Sequence, residues 1–385
     1  MSFSTLGLSP ALLKALTEQK FTQAYPIQEQ AIPAILNKKD ILGIAKTGSG
    51  KTASYVLPSL MLVQAAKESQ NRHVKILVLV PTRELAVQVR EVFQQFNIAI
   101  SARIKTLAVF GGVAINPQMQ ALQNVDILVA TPGRLIELVE SNAVHLSNIS
   151  TLILDEADKM LNMGFKDEMD KIFAMLPKRR QNLLFSATMS KDLTNMEQVL
   201  LKDPLIIEME DEEKDDIDLI NQIAYYVTEE KKGPLLRYII KKNKLKQVLI
   251  FTSSVFKADS VANKLNKNGI FAVTVHSEKS QGARTENLRK FKTGKIRVLV
   301  ATDLLSRGID IEFLPHVINY ELPRSPKDYI HRIGRTGRAE NPGEAISFIT
   351  PQDQAHFKVI QKKMNKPVTM INSETINLFE SFKKK

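Results

Sequence analysis

The residues of this chain best equipped for chemistry stand at Lys46-Thr47-Gly48-Ser49-Gly50-Lys51-Thr52, directly after the apolar run Ile41-Leu42-Gly43-Ile44-Ala45 and ahead of a stretch with helical apolar spacing. Glycines there let successive backbone N–H groups face an anion at a helix N-terminus. Lys51 can bring charge to β- and γ-phosphates, and the Thr52 hydroxyl can hold Mg²⁺. The strict phosphate-loop pattern asks for Gly at position 45, where the chain has Ala45. A second group, Leu152-Ile153-Leu154-Asp155-Glu156-Ala157-Asp158, puts carboxylates at a strand end. Asp155 can bind Mg²⁺ through water, and Glu156 can accept a proton from an attacking water. A third, His331-Arg332-Ile333-Gly334-Arg335-Thr336-Gly337-Arg338, carries three arginines, of which Arg335 and Arg338 are candidates to neutralise γ-phosphate oxygens. An acidic cluster at a helix start, or a basic helix, is ordinary when it stands alone. Joined to the Lys51 loop, both point to phosphate chemistry.

Short apolar runs position these groups. Ile41 to Ala45, Ile76 to Val80, Leu107 to Phe110, Ile127 to Ala130, Leu152 to Leu154 and Leu183 to Phe185 read as buried parallel strands. Between them, Pro26 to Leu36, Thr52 to Ala66 and Glu84 to Phe96 have helical spacing, and the alternation predicts a doubly wound α/β layer. The rhythm then restarts with Val248 to Phe251, Phe271 to Val275, Val298 to Ala301, Val317 to Tyr320 and Ile346 to Ile349. Ser9-Pro10, Ser325-Pro326 and Thr350-Pro351 each offer a capping hydroxyl followed by proline at the first helical position. Between the two sets, Glu208 to Asp218 is a run of self-repelling carboxylates that should stay extended. The expected organisation is therefore an α/β domain at 1–207, an acidic linker at 208–218, a second α/β domain at 219–366 and a short basic tail at 367–385.

The composition suits a folded chain of two or three domains: 385 residues, 44% hydrophobic and 24% charged. With no Cys, disulfides, thiolate metal sites and a Cys nucleophile are excluded. The apolar runs are too short to cross a bilayer, so a cytoplasmic chain without a membrane span is expected. Residues 1–207 carry 22 Lys/Arg against 18 Asp/Glu, residues 208–218 carry 1 against 8, and residues 219–385 carry 30 against 15. The basic excess lies in the second half, where a polyanion such as nucleic acid would be drawn by counterion release.

The motifs, in order and over nearly the whole chain, resemble those of the DEAD-box ATP-dependent RNA helicases, a family named for a run such as Asp155-Glu156-Ala157-Asp158. The match includes Pro26-Ile27-Gln28, Pro81-Thr82-Arg83-Glu84-Leu85-Ala86, Gly111-Gly112, Thr131-Pro132-Gly133-Arg134, Ser186-Ala187-Thr188, Gln281 with Arg284, Ala301-Thr302-Asp303 and Arg307-Gly308-Ile309-Asp310. Lys159 to Phe165 and Arg180 to Phe185 look more like the bacterial RhlE-like branch.

The resemblance implies two RecA-like domains with ATP and Mg²⁺ in the cleft between them and single-stranded RNA across both. It implies adenine read by Gln28 and stacked on Phe21, with Phe3 at the upstream aromatic position. Phosphates would be held by Ala45 to Thr52, with Gly308 and Asp310 near the nucleotide. RNA phosphates and sugars would meet Pro81 to Arg83, Gly111, Gly112 and Thr131 to Arg134 in the first domain, and Thr252, Gln281, Arg284 and Thr302 in the second. Ser186, Thr188, Asp303 and His331 would couple hydrolysis to domain movement. The chain departs from the family pattern at three places. Lys20 precedes Phe21 where Gly is common, Tyr25 replaces a small hydroxyl residue, and Leu304-Leu305-Ser306 replaces smaller residues.

The function so implied is RNA-dependent ATP hydrolysis by a monomer, with local unwinding of short duplexes or remodelling of RNA–protein complexes and little base preference. Rival readings are an ATP-gated RNA clamp, a small-molecule P-loop kinase and a DNA translocase. Glu156→Gln should lower ATP turnover by roughly 10²-fold or more while nucleotide binding persists; turnover at the parent rate would remove Glu156 from the base role.

Overall fold

The computed structural model describes residues 2–45, 48–66, 72–98, 100, 104–209, 220–303, 314–337 and 343–378. The chain divides into two compact units, Met1–Asp211 and Glu212–Lys385.

The first unit is built on seven parallel strands: β1 (Ile41–Ile44), β2 (Ile76–Leu79), β3 (Thr106–Val109), β4 (Ile127–Ala130), β5 (Thr151–Leu154), β6 (Gln181–Ser186) and β7 (Leu205–Glu208). Their order is β3-β4-β2-β5-β6-β1-β7. Alternate residues serve opposite faces. Ile76, Val78, Ile127, Val129 and Ile153 join one core with α1 (Pro10–Glu18), α2 (Pro26–Leu36), α3 (Lys51–Ala65) and α4 (Arg83–Asn97). Leu77, Leu79, Leu128, Leu152 and Leu154 join the other core. That second core includes residues of α6 (Pro132–Glu140), α7 (Ala157–Asn162), α8 (Lys166–Met175) and α9 (Lys191–Leu200), while the short α5 (Ile115–Ala121) only packs against it. Burial on both faces is why these strands read as unbroken apolar runs. At the base of β1 and β6, Asp40 accepts from Asn182 N at 2.8 Å and Lys202 N at 2.9 Å, joining three chain segments.

The second unit repeats the plan with β8 (Ile220–Tyr226), β9 (Val248–Thr252), β10 (Ala272–Val275), β11 (Val298–Thr302), β12 (His316–Asn319), β13 (Gly343–Ile349) and β14 (Thr369–Asn372). The order is β10-β11-β9-β12-β13-β8-β14, strand for strand that of the first unit. Its helices are α10 (Glu229–Lys242), α11 (Val255–Lys267), α12 (Gln281–Lys292), α13 (Pro326–Ile333) and α14 (Gln354–Met364). The anticipated caps form: Ser9 accepts from Leu12 N at 3.4 Å, Ser325 from Asp328 N at 3.1 Å, and Asp353 closes a capping box on Thr350 N at 3.1 Å.

Strands β7, β8 and β14 are additions to the sequence expectation. β7 and β14 are half-open edge strands, and β8 interrupts its apolar positions with Asn221 and Gln222, so none presents a buried apolar run. β14 pairs in parallel with β8, so residues 369–372 belong to the sheet and the expected boundary at 366 falls short of it. At the other boundary, Glu208 pairs with Ile44 as the last residue of β7 and is not yet linker; residues 210–219 lie outside the described ones. Asp40→Ala should leave two backbone N–H groups without their acceptor and destabilise the first unit by about 2–4 kcal/mol. An unchanged midpoint in chemical denaturation would refute that.

Candidate active site

In a parallel sheet every strand ends on the same edge, so strand order decides which loops meet. In the first unit the loops after β3, β4 and β2 are neighbours, and so are those after β5, β6 and β1. Gly111-Gly112, Thr131 to Arg134 and Pro81 to Arg83 fall into the first group. The Lys51 loop, Asp155-Glu156 and Ser186 to Thr188 fall into the second.

The phosphate loop leaves β1 at Ala45, whose N–H donates to Ser186 O at 3.0 Å. Gly48 and Gly50 have φ of 82° and 86°, a conformation that favours glycine. A Cβ on Gly50 would overlap the Gln28 amide and lie 2.9 Å from the Tyr25 ring. Gln28 accepts from Tyr25 N at 2.9 Å and donates to Gly50 O at 3.1 Å, tying α2 to the loop while leaving one N–H and one lone pair of its amide for a further partner. Phe21 is partly buried, its ring 5.9 Å from that of Phe96, whereas Phe3 packs into the core. Lys20 takes φ 63°, which accounts for glycine being common there. Ser49 Oγ is buried with no hydrogen-bond partner. Lys46 and Thr47 lie outside the described residues.

Lys51 opens α3 and its ammonium bonds to Ala45 O. Burial pushes its pKa down, against the opposing pull of Asp155 and Glu156. Burial pushes Asp155 and Glu156 up, with Lys51 and Lys159 respectively opposing most among neighbouring charges. The Tyr55 hydroxyl, one turn along α3, donates to Asp155 Oδ2 at 2.8 Å and also contacts Thr52, so Thr52 and Asp155 converge on one hydroxyl. Glu156 sits in the left-handed region, φ 55°, a costly place for a residue with a side chain. Lys159 holds Glu156 Oε1 at 2.5 Å, while Oε2 is buried and accepts no hydrogen bond. Thr188 Oγ1 donates to Asp158 Oδ2 at 2.9 Å, and Ser186 Oγ donates to Thr188 O at 2.9 Å, so the β6 loop is fastened to the carboxylate run.

In the other group, Thr82 caps α4 by accepting from Leu85 N at 3.3 Å, and the Arg83 guanidinium lies against Gly112. Gly112 has φ 72°, and a Cβ there would overlap that guanidinium. Gly111 and Gly133 face open space. Pro132 opens α6 behind Thr131, whose N–H donates to Val109 O at 3.1 Å. Arg134 donates to Glu137 at 2.8 Å and to Val113 O at 2.8 Å, so it braces the β3 loop from within the protein.

In the second unit Thr252, Thr302 and Gln281 lie at the same sheet edge, at or just beyond the ends of β9, β11 and β10, and Arg284 is buried one turn along α12. Asp303 is gripped by Arg332 through Nε at 2.5 Å and Nη2 at 2.7 Å. Arg332 is 0% exposed, donates also to Asn319 Oδ1 at 3.1 Å and Glu321 O at 2.6 Å, and lies 5.0 Å from the Phe251 ring centre. His331 precedes it on α13 and Arg335 follows, buried. Gly308, Asp310 and Arg338 lie outside the described residues.

A DEAD/DEAH box helicase model matches residues 25–196, and a helicase conserved C-terminal domain model matches residues 230–340. The chain belongs to the DEAD-box helicase family. Among relatives, the DEAD-box ATP-dependent RNA helicase CshA of Bacillus subtilis is 37% identical over 98% of this chain and 75% of its own length. The ATP-dependent RNA helicase CshA of Listeria monocytogenes is 37% identical over 97% and 71%. Of solved structures, Saccharomyces cerevisiae Dbp5 bound to RNA and ADP BeF3 superposes with a TM-score of 0.83 at 29% identity, covering 97% of this chain and 96% of that one. A DEAD box protein from Methanococcus jannaschii matches with a TM-score of 0.53 at 37% identity, covering 96% and 99%.

Tyr55, Lys159 and Gln118 in the first unit, and Arg332 in the second, hold expected site residues in place without having been given a role by sequence. Gln118 accepts from Phe110 N at 2.9 Å and donates to Phe110 O at 3.3 Å, which holds the Gly111-Gly112 turn. Spacing could have revealed Tyr55, since it stands four residues after Lys51 on the same helix. Nothing local marks Gln118 or Arg332. No group of three or more His, Cys, Asp or Glu side chains that could hold a metal occurs among the described residues. Because Asp155 and Glu156 are both raised by burial, kcat/KM for ATP, which reports the free enzyme, should fall on acidification with an inflection above the ordinary carboxylate range. An inflection within that range would contradict the burial.

Proposed function

We propose that this DEAD-box helicase is an RNA-dependent ATPase that hydrolyses ATP to ADP and phosphate and uses the cycle to separate short RNA duplexes or displace proteins from RNA. The observation that carries this reading is the convergence on one sheet edge of a phosphate loop, a buried lysine, a buried carboxylate with a mostly buried one beside it and, on neighbouring strands, loops rich in glycine amides and hydroxyls.

The amides of the loop and the start of α3 would bind the phosphates, and Lys51, already partly desolvated, would meet β- and γ-oxygens at little further cost in hydration. Thr52 and Asp155 fit Mg²⁺ as a hydroxyl and a carboxylate brought together at Tyr55, the sparse protein ligation this ion takes beside phosphates. Bound there, it would neutralise phosphate charge. Glu156, with one oxygen fixed by Lys159 and the other lacking a donor, would hold a water and take its proton. Gln28 would read the adenine edge with its remaining hydrogen-bonding capacity, and Phe21 would cover its face. Arg335 and Arg338 are proposed as phosphate-directed arginines, Gly308 and Asp310 as further groups near the nucleotide. Asp303, held by Arg332, is proposed to act with His331, Ser186 and Thr188 in relaying hydrolysis to RNA.

RNA would be held by Pro81, Thr82, Arg83, Gly111, Gly112 and Thr131 to Arg134, and by Thr252, Gln281, Arg284 and Thr302. These groups suit phosphate and sugar, so sequence preference should be slight. No helix among the described residues is long and apolar enough to cross a membrane. A cytoplasmic monomer, working where RNA is, completes the proposal. ATP turnover should rise with added RNA and stay at the basal rate with DNA of the same sequence. Arg338→Ala should abolish the stimulation while leaving ATP bound. Equal stimulation by DNA would exclude the RNA assignment.

A further inference from the structure

Three segments of the second unit, 240–247, 264–271 and 289–297, hold eleven Lys and Arg and no Asp or Glu. They lead into β9, β10 and β11, parallel neighbours in the order β10-β11-β9. All three therefore lie side by side at the N-terminal edge of the sheet, opposite the edge that carries Thr252, Thr302 and Gln281.

The array is fastened by its own hydrogen bonds. Arg297 donates to Leu245 O at 2.5 Å and Ile240 O at 3.1 Å, and Gln247 donates to Phe291 O at 2.7 Å. Asn266 clasps both backbone groups of Ala272, at 2.8 and 3.0 Å. Phe271 stands in this basic setting with its side chain outward, 61% exposed. Helix dipoles account for lysines in the last turns of α10, α11 and α12. They do not account for Lys244, Lys246 and Lys295, which lie beyond the helix ends, or for an exposed phenyl ring among them. The nearest carboxylate along α12, Glu286, is engaged by Arg289 at 2.8 Å and Lys290 at 3.3 Å.

We propose that this N-terminal edge of the second sheet is an additional RNA-binding surface, which grips the phosphates of RNA flanking the catalytic edge and stacks an unpaired base on Phe271. The inference rests on the RNA-helicase reading. A basic array binds phosphates without regard to sequence, and an aromatic ring within it adds a platform for any base. The two edges are separated by the five residues of β9, about 17 Å, so one RNA longer than the catalytic path can occupy both. The surface also gives the basic excess of residues 219–385 a function that the catalytic edge does not use.

The test uses the full chain and two variants, one with Lys244, Lys246, Lys264, Lys267, Lys292 and Lys295 all changed to Gln, the other Phe271→Ala. Kd is measured across salt concentrations for a long unstructured RNA and for a short oligonucleotide that fills only the catalytic edge, together with ATP turnover saturated by the short one. The Gln variant should weaken the long RNA by about tenfold or more and flatten its salt dependence. Phe271→Ala should weaken it by about fivefold or more, with Phe271→Tyr restoring it. Turnover with the short RNA should be unchanged in all. Unchanged Kd for the long RNA would overturn the proposal, as would equal weakening of long and short RNA. A parent chain that neither binds RNA nor responds to it would instead overturn the helicase reading, and this inference with it.

Discussion

Within each of the two sheets every strand runs in the same direction, and from that one constraint the placement of the chemistry follows. All strand ends of a unit face one edge, so residues more than a hundred positions apart, such as Lys51 and Asp155, meet without any loop having to reach. Strand order then sorts the edge. β5, bearing Asp155 and Glu156, adjoins β6 on the phosphate side and β2 on the side of the glycine loops, so the carboxylates stand at the border between the two neighbourhoods. The second unit has the same order, and its proposed RNA-contacting residues Thr252, Gln281 and Thr302 fall at the end of, or in the segment after, the strands equivalent to β2, β3 and β4.

Electrostatics at that border are arranged around unfinished business. Lys51 and Asp155 are buried, Glu156 mostly so, and burial disfavours the charged form of each. A triphosphate with its cation would supply the counter-charges that the protein alone leaves incomplete. Arg332 shows the opposite case. It is fully buried, but two bonds to Asp303 and two to Asn319 and Glu321 engage its guanidinium, so it sets geometry and is not aimed at a ligand.

Much of this was legible in the sequence because buried parallel strands must be apolar on both faces and helices must carry an apolar stripe. The ranges Pro26 to Leu36 and Ile127 to Ala130 coincide with α2 and β4 for that reason. Two of the four edge strands escaped. β7 and β14 bury one face or less, so their residues Ile206, Met370 and Asn372 can be exposed without penalty, and no period is enforced. The site divides the same way. Lys51, Asp155 and the glycines at 48, 50 and 112 announce themselves by type and spacing, while Gln118 and Arg332 serve through partners distant in the chain.

Local chemistry, then, was written in the sequence alone: which residues can hold phosphate, which can take a proton, where helices begin, and that the second half is basic. Only the tertiary structure decided that Glu156 takes a left-handed backbone with one oxygen held and one without a donor, that Arg332 turns inward, and that the lysines of 240–247, 264–271 and 289–297 share the edge away from the catalytic loops. The physical reason is that residue type and short-range spacing act within a few positions, whereas burial, hydrogen-bond partners and the side of a sheet on which a charge emerges depend on strand order, which pairs segments far apart in the chain.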